Sequence, residues 1–516
     1  MTVGTARYQS RLRTGGDGFA QLLHAEWTKF RTVRGWVVGT LVAAVVMVGV
    51  GMLAAAASHS SCGGPCPAIP VGPDGEAVDD TFYFAHQSLQ GDGSTTVRIT
   101  SLTSLVTYPP DHPHDIVSRL VPWAKAGVIV KESTRQGSAY AAVAITGSHG
   151  VRMQYNYTHD TAGSPGSVSA ASPRWLRLTR SGDWLTGYDS ADGTHWAKIG
   201  TAHLVGLPAT VQVGLFVASP ADVHVTPGIA GGTTEHLTQS TAEFDNVSFQ
   251  GEGAGGTWTG DNVGGPPPGG PALPLGGGFN ESDGSFTVRG AGDIAPLLAG
   301  GRTIGRTLTG TFAALIVVIV VGTMLITAEY RRGMIRTTLT ASPRRGRVLA
   351  AKAIVIGSVT FVAGLAAAAF TIPLVVSALR ANGWYIFPVT SLTELRVVAG
   401  TAALLAVAAV LALAVGTVLR SSAAAVTTVI VAIVLPYILA TASPLPESAS
   451  EWLLRLTPAA AFAVQQSLPQ YPQVNAAYTV WNGFYPLAPW AGFCVLCAYT
   501  ALALGVAVFL LRRRDA

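Results

Sequence analysis

Charge is what this chain is short of. Asp, Glu, Lys and Arg make up 12% of its 516 residues, about half the share found in an ordinary soluble protein. The shortage is concentrated. Residues 36–57, 308–328, 353–379, 397–419, 423–441 and 488–511 contain no Asp, Glu, Lys, Arg or His at all. Runs of that length cross a hydrocarbon core as helices. With no ionisable group inside six spans, none of them can carry a proton or a cation through a gradient-driven cycle. Cysteine is equally scarce, with four in two pairs. Cys62 and Cys66 form a candidate disulfide just beyond the first span; a zinc site would need two more ligands, and none is near. Cys494 and Cys497 sit in the last span as packing thiols.

Catalytic patterns are also missing. GGRTIGRT (300–307) has phosphate-loop spacing with Arg306 in place of Lys, but it opens an apolar run rather than a soluble helix. GEGAGG (251–256) lies in a glycine-rich stretch with no helix after it. His112 and His114, with Asp111 and Asp115, are confined to one loop and have no distant third ligand. Glu132, Asp160, Asp183 and Asp189 occur at turns, without the paired arrangement that glycoside hydrolysis needs. No catalytic residue and no metal ligand is expected.

What charge there is has a pattern. Segments 1–35, 329–352, 420–422 and 512–516 hold 17 Lys and Arg, against 3 in 380–396 and 442–487. Basic flanks resist transfer across a bilayer, so both termini and the 329–352 loop are expected on the cytoplasmic side of the cell membrane. Residues 58–306 are then extracellular. That insert is net acidic, so the overall +5 reports membrane orientation and a basic inner surface rather than nucleic-acid binding. The first apolar run is too long, and starts too far in, for a cleaved signal peptide.

The basic loop reads EYRRGMIRTTLTASPRRGRVLAAK, residues 329–352, with seven Lys or Arg and one acid. Its spacing predicts a helix over 330–340 stopped by Ser342-Pro343. Before the first span, Phe19, Leu22, Leu23, Trp27, Phe30 and Val33 recur at near-helical spacing among Lys29, Arg31 and Arg34, the pattern of a helix lying in the headgroup layer. Both stretches, with LTPAAAF and FYPLAPWAG further on, resemble the permease subunits of ABC-2 type transporters, especially the actinobacterial ones.

That resemblance implies an exporter subunit that is not itself an enzyme and carries no cofactor. Two copies of a separate ATPase subunit would bind ATP and Mg²⁺. The permease would pair with a second copy or a like subunit, in the lipid bilayer. The resemblance places ATPase coupling on Glu26, Lys29, Arg31, Arg34, Glu329, Arg331, Arg332 and Arg336.

The insert of about 250 residues is long enough for its own core. Short alternating segments are predicted as strands at 95–100, 126–132, 140–146, 151–157, 175–181, 184–190, 196–202, 211–219 and 241–249, with a last one at 284–289 after a Gly/Pro-rich stretch at 251–285. Their spacing predicts an antiparallel β-sandwich. AGVIVKES, YAAVAITGSHGVRMQY, WLRLTRSGDWLTGYDSADGTHW and FDNVSF resemble concanavalin-like jelly-roll modules. SADGTHW (190–196) approaches an Asp-box, a turn staple rather than a catalytic site. Trp175, Trp184 and Trp196 suit either the sandwich core or stacking on a glycan. The fold class expected is therefore six transmembrane helices with an all-β jelly-roll ectodomain between the first two. Residues 442–487 should form an interfacial or re-entrant segment before the last span. A membrane-anchored glycan sensor without transport activity is the alternative.

Overall fold

The computed structural model describes residues 18–60, 68–226, 232–252, 256–265, 276–334, 344–441 and 445–513. Cys62, Cys66 and Arg336 lie outside them, as does most of the helix expected over 330–340. Among the described residues six helices are long and apolar enough to cross a membrane, and they fall where the uncharged runs do. They are α2 (Arg34–Ala56), α3 (Thr311–Arg331), α4 (Arg345–Ala381), α5 (Ser391–Leu419), α6 (Ser422–Thr441) and α8 (Pro489–Arg513). The amphipathic stretch forms α1 (Phe19–Thr32), separated from α2 by one extended residue, Val33.

The interior of the bundle is α5, whose small residues Ala402, Ala408, Ala409 and Ala412 are buried and let α3 and α4 pack closely. Where α2 meets α3, a β-carbon on Gly310 would lie 1.9 Å from the Met47 carbonyl oxygen, so only glycine fits. By contrast α2 and α8 bury little of their length. Their exposed apolar faces, with Val45 and Leu53 on α2 and Leu502 on α8, are what a lipid-facing helix needs.

The segment before α8 folds into the bundle. After α7 (Glu447–Leu456) the chain makes an eight-residue 3₁₀ helix, Pro458–Gln465, with every residue buried. Non-α backbone needs protein around it wherever lipid would leave its polar groups unpaired, and here the surroundings are helices. It is wedged against α5 and α8, and the Gln465 amide donates to Thr311 (3.1 Å) and Thr401 (3.2 Å).

Between α2 and α3 stands a two-sheet antiparallel sandwich. One strand belongs to both sheets: Phe82–Thr107, 26 residues long. Its first half is flanked by Thr259–Val263 and Thr210–Ala218, and the sheet continues through Lys125–Lys131, Tyr140–Thr146, Val151–Tyr155 and His159–Ala162. Its second half is flanked by Arg174–Ser181 and Thr238–Glu252, and the second sheet continues through Trp184–Ser190 and Ala197–His203 on one side. On the other side come Ser285–Gly290 and Gly278–Ser282. The handover lies at Gly91-Asp92-Gly93, where Gly91 has φ +67°. Val97, Val128, Val143, Leu176, Leu215 and Phe244 fill the space between the sheets.

The first sheet is covered on its other face too, by a second apolar layer that includes Phe84, Ile129, Tyr140, Phe216 and Ile294. Two lysines reach into that layer. Lys131 Nζ, fully buried, lies 2.7 Å from Asp80, which also accepts from the Tyr157 hydroxyl (2.8 Å) and the Gly137 amide (2.9 Å). Lys125 Nζ lies 2.5 Å from Asp293. The chain enters and leaves the sandwich side by side, Val78–Asp80 pairing with Ile294–Pro296. The buried ion pairs tie both strands to the sheet, which is how a domain can be inserted between two helices without disturbing either.

Candidate functional site

Glu329 and Lys352, the first and last residues of the basic loop, close on each other. Glu329 sits in the last turn of α3 and Lys352 in the third turn of α4, with Lys352 Nζ 2.7 Å from Glu329 Oε1. The same ammonium lies 2.8 Å from Glu26 Oε2 on α1. Lys29, one turn further along α1, reaches both carboxylates, at 3.1 Å from Glu26 and 3.3 Å from Glu329. The first helix, α1, is thus joined to α3 and α4, 300 or more residues further along the chain, by two carboxylates and two ammonium groups.

Burial makes the cluster consequential. Glu26, Glu329 and Lys352 are 3%, 2% and 1% exposed, whereas the Lys29 side chain keeps 40% of its surface. Removing four charges from water is costly, and their mutual attraction offsets that only while all are present. Burial works against the Lys29 charge, but Glu26 and Glu329 outweigh it and hold its ammonium above the ordinary lysine range. Glu329 Oε2 has no hydrogen-bond partner among the described residues. Apolar packing completes the joint: Phe30 is buried and stacks on Trp36 at 6.2 Å.

Most of the other described basic residues of this end stay at the surface. Arg31, Arg34, Arg331 and Arg332 are exposed. Arg345 donates to the Leu511 carbonyl at the end of α8, and Arg420 lies over the Tyr330 ring at 5.2 Å. The N-terminal helix, the end of α3, the start of α4, the α5–α6 turn and the end of α8 therefore share one end of the bundle, and the sandwich occupies the other. Of the eight residues expected to act together, Glu26, Lys29 and Glu329 meet in the buried cluster. Four form a basic surface around it, and Arg336 is not described. Lys352 was missed as a site residue. Its only signal was its place as the last charge before the apolar run 353–379.

The sandwich resolves its own candidates. Trp175, Trp184 and Trp196 all lie outside the core. Trp184 is 52% exposed and stacks on His203 at 4.1 Å. Arg177 covers Trp196 at 3.9 Å, and Arg98 lies 5.7 Å from Trp175. The SADGTHW turn is a staple: Asp192 accepts from the Thr194 and His195 amides and faces the His195 ring at 2.7 Å. Those hydrogen bonds push the Asp192 carboxyl far below its usual range. In the 109–115 loop, Asp111 is taken by Arg119, and His112 stands 3.9 Å from Asp111 and 4.0 Å from Asp115. Among the described residues no three His, Cys, Asp or Glu side chains come together as a metal site. The phosphate-loop lookalike makes a single turn of helix, Ile304–Thr307, with Arg306 over Trp481.

No curated protein matches this chain. Among solved structures, a Saccharomyces cerevisiae protein of unknown function is 14% identical, covering 37% of this chain and 91% of its own at a TM-score of 0.23. A scytalido-glutamic peptidase is 6% identical, covering 42% and 100% at 0.26. A GH43 protein from Bacillus licheniformis is 11% identical, covering 40% and 27% at 0.17. Scores this low carry no argument. The sequence of residues 138–516, by contrast, matches the family described as ABC-2 family transporter protein.

Proposed function

The chain belongs to the ABC-2 transporter family, and from that premise we propose that it is the permease subunit of an exporter driven by a separate ATPase. Membership makes it a multi-pass membrane protein and a transport component. The further reading is that two ATPase chains supply ATP hydrolysis with Mg²⁺, that two permease chains pair, and that the sandwich faces the cell exterior.

The observation that carries the proposal is the buried cluster of Glu26, Lys29, Glu329 and Lys352 beneath the exposed Arg31, Arg34, Arg331 and Arg332. A push delivered to the arginine surface would reach α1, α3 and α4 together, because four charges that cannot be separated cheaply hold the three helices as one body. Glu26 and Glu329 then act by position, and the arginines act by contact. Exchanging Arg331 and Arg332 for Glu tests this: the double variant should keep its fold and lose the coupling between ATP hydrolysis and transport. Full transport by that variant would refute the assignment.

The outward placement of Trp175, Trp184 and Trp196 favours a second role for the sandwich as a glycan-binding surface, either within the exporter or as an anchored sensor. Arg177 already covers one face of Trp196, so Trp184 is the best-placed ring. Soluble glycan that protects Trp184 from oxidation would support this role, and unchanged oxidation would count against it.

A further inference from the structure

A cavity of about 840 Å³ lies where the sandwich meets the bundle, within the range of small-molecule sites. Its bundle side is basic and aromatic. The two-residue strand Gly301–Arg302 pairs with Tyr385–Ile386 and brings the Arg302 guanidinium 3.9 Å from the Trp384 ring. One helical turn on, Arg306 lies 4.5 Å from the Trp481 ring. Among the described residues neither arginine has a carboxylate within ion-pair distance. Burial, and then the charge of Arg302, pull the Arg306 guanidinium down to about 10, as expected of two neighbouring cations left without a counter-ion. Phe387 and Phe484, each 3% exposed, add an apolar floor.

The sandwich side of the cavity has carboxyl groups, but they are otherwise engaged. Asp293 is paired with Lys125 at 2.5 Å. Asp79 accepts the Thr81 hydroxyl at 2.6 Å, and Glu235 is solvent-exposed. Two half-buried guanidiniums stacked on tryptophans are a site for a planar or tetrahedral anion, and the aromatic floor is a site for a hydrocarbon body.

We propose that this cavity binds an anionic amphiphile, its phosphate or carboxylate head held by Arg302 and Arg306 and its apolar body by Trp384, Trp481, Phe387 and Phe484. The site stands apart from the transport reading, because it requires neither an ATPase nor a second protomer.

The test is calorimetric titration of the full chain in phosphatidylcholine nanodiscs with dodecyl phosphate, with dodecyl maltoside as the uncharged probe. Saturable binding of the phosphate, at least about tenfold tighter than the maltoside, is expected. The R302Q/R306Q pair should weaken phosphate binding about tenfold or more, and R302K/R306K should recover part of it by restoring charge without the guanidinium fork. Equal affinity for the two probes would overturn the proposal, as would undiminished binding by a folded Gln pair. If the Gln pair fails to fold, the comparison of probes on the unsubstituted chain decides. Adding phosphatidylglycerol to the discs identifies the source. Competition with dodecyl phosphate supports the site with a bilayer lipid as its ligand, and unaltered binding supports it with a soluble amphiphile. Failure here would leave ATPase coupling intact, and loss of coupling would leave this binding intact.

Discussion

Replacing Lys352 with methionine removes one ammonium group and strands two carboxylates that are 3% and 2% exposed. Lys29 can satisfy only part of that deficit, because it is held 3.1 Å and 3.3 Å from the same two groups and keeps 40% of its side chain in solvent. Breaking one side of a buried ion pair costs about 3–5 kcal/mol. The chain has a sandwich and a bundle that need not unfold together, so one melting temperature would blur the effect. Local opening is the better readout. Amide exchange over α1 should accelerate by about two to three orders of magnitude, because α1 is held to α3 and α4 through this cluster. A triple variant, Glu26→Gln, Glu329→Gln and Lys352→Met, removes the three buried charges together, leaves only the Lys29 ammonium, which has 40% of its side chain in solvent, and should return exchange to near its original rate. Unchanged exchange in the single Lys352→Met variant would refute the reasoning, as would a triple variant no better than the single one.

Three further expectations follow from the geometry. Asp80→Asn leaves Lys131, fully buried, without its counter-ion and should cost the sandwich about 3–5 kcal/mol, read by denaturant unfolding followed at its tryptophans. Asp79→Asn should act in the opposite direction with pH. Burial, and then Asp293, push the Asp79 carboxyl up to about 7, against about 3.9 unfolded. The folded state therefore holds the extra proton between those values and stability falls as pH rises through that window. The Asn variant should gain relative to the parent from pH 4 to 7 and hold the gain above, and a pH-independent difference would contradict this. Gly310→Ala puts a β-carbon 1.9 Å from the Met47 carbonyl oxygen and must separate α2 from α3, so it should lower the yield of folded protein, while Gly49→Ala, with nothing within 4 Å, should not.

How far the sequence reaches depends on what each feature needs. The six spans were legible because absence of charge over some twenty residues has no other common cause; α4 simply runs further, from Arg345 to Ala381. Short strands bounded by turn residues were placed well: Tyr140–Thr146 and Trp184–Ser190 match to the residue. The long strand Phe82–Thr107 was seen only as 95–100. Its first half is buried on both faces and has no alternation, and Gly91-Asp92-Gly93 reads as a turn. Lys125 and Lys131 end an apolar strand, yet both are buried, because their partners Asp293 and Asp80 come from the two ends of the insert, which a linear reading does not bring together. The buried cluster was half visible. Family resemblance pointed to Glu26, Lys29 and Glu329, but nothing in a linear reading joins Glu26 to Lys352, 326 positions apart.

The central claim is that an ATPase docks on the arginine surface above that cluster. Affinity purification of the full chain from its native membrane in mild detergent, with bound proteins identified by mass spectrometry, tests it most directly. A soluble ATPase in stoichiometric amount, lost when Arg331 and Arg332 are exchanged for Glu, is the predicted result. A chain that purifies with no ATPase, or with one that the exchange does not disturb, would contradict it.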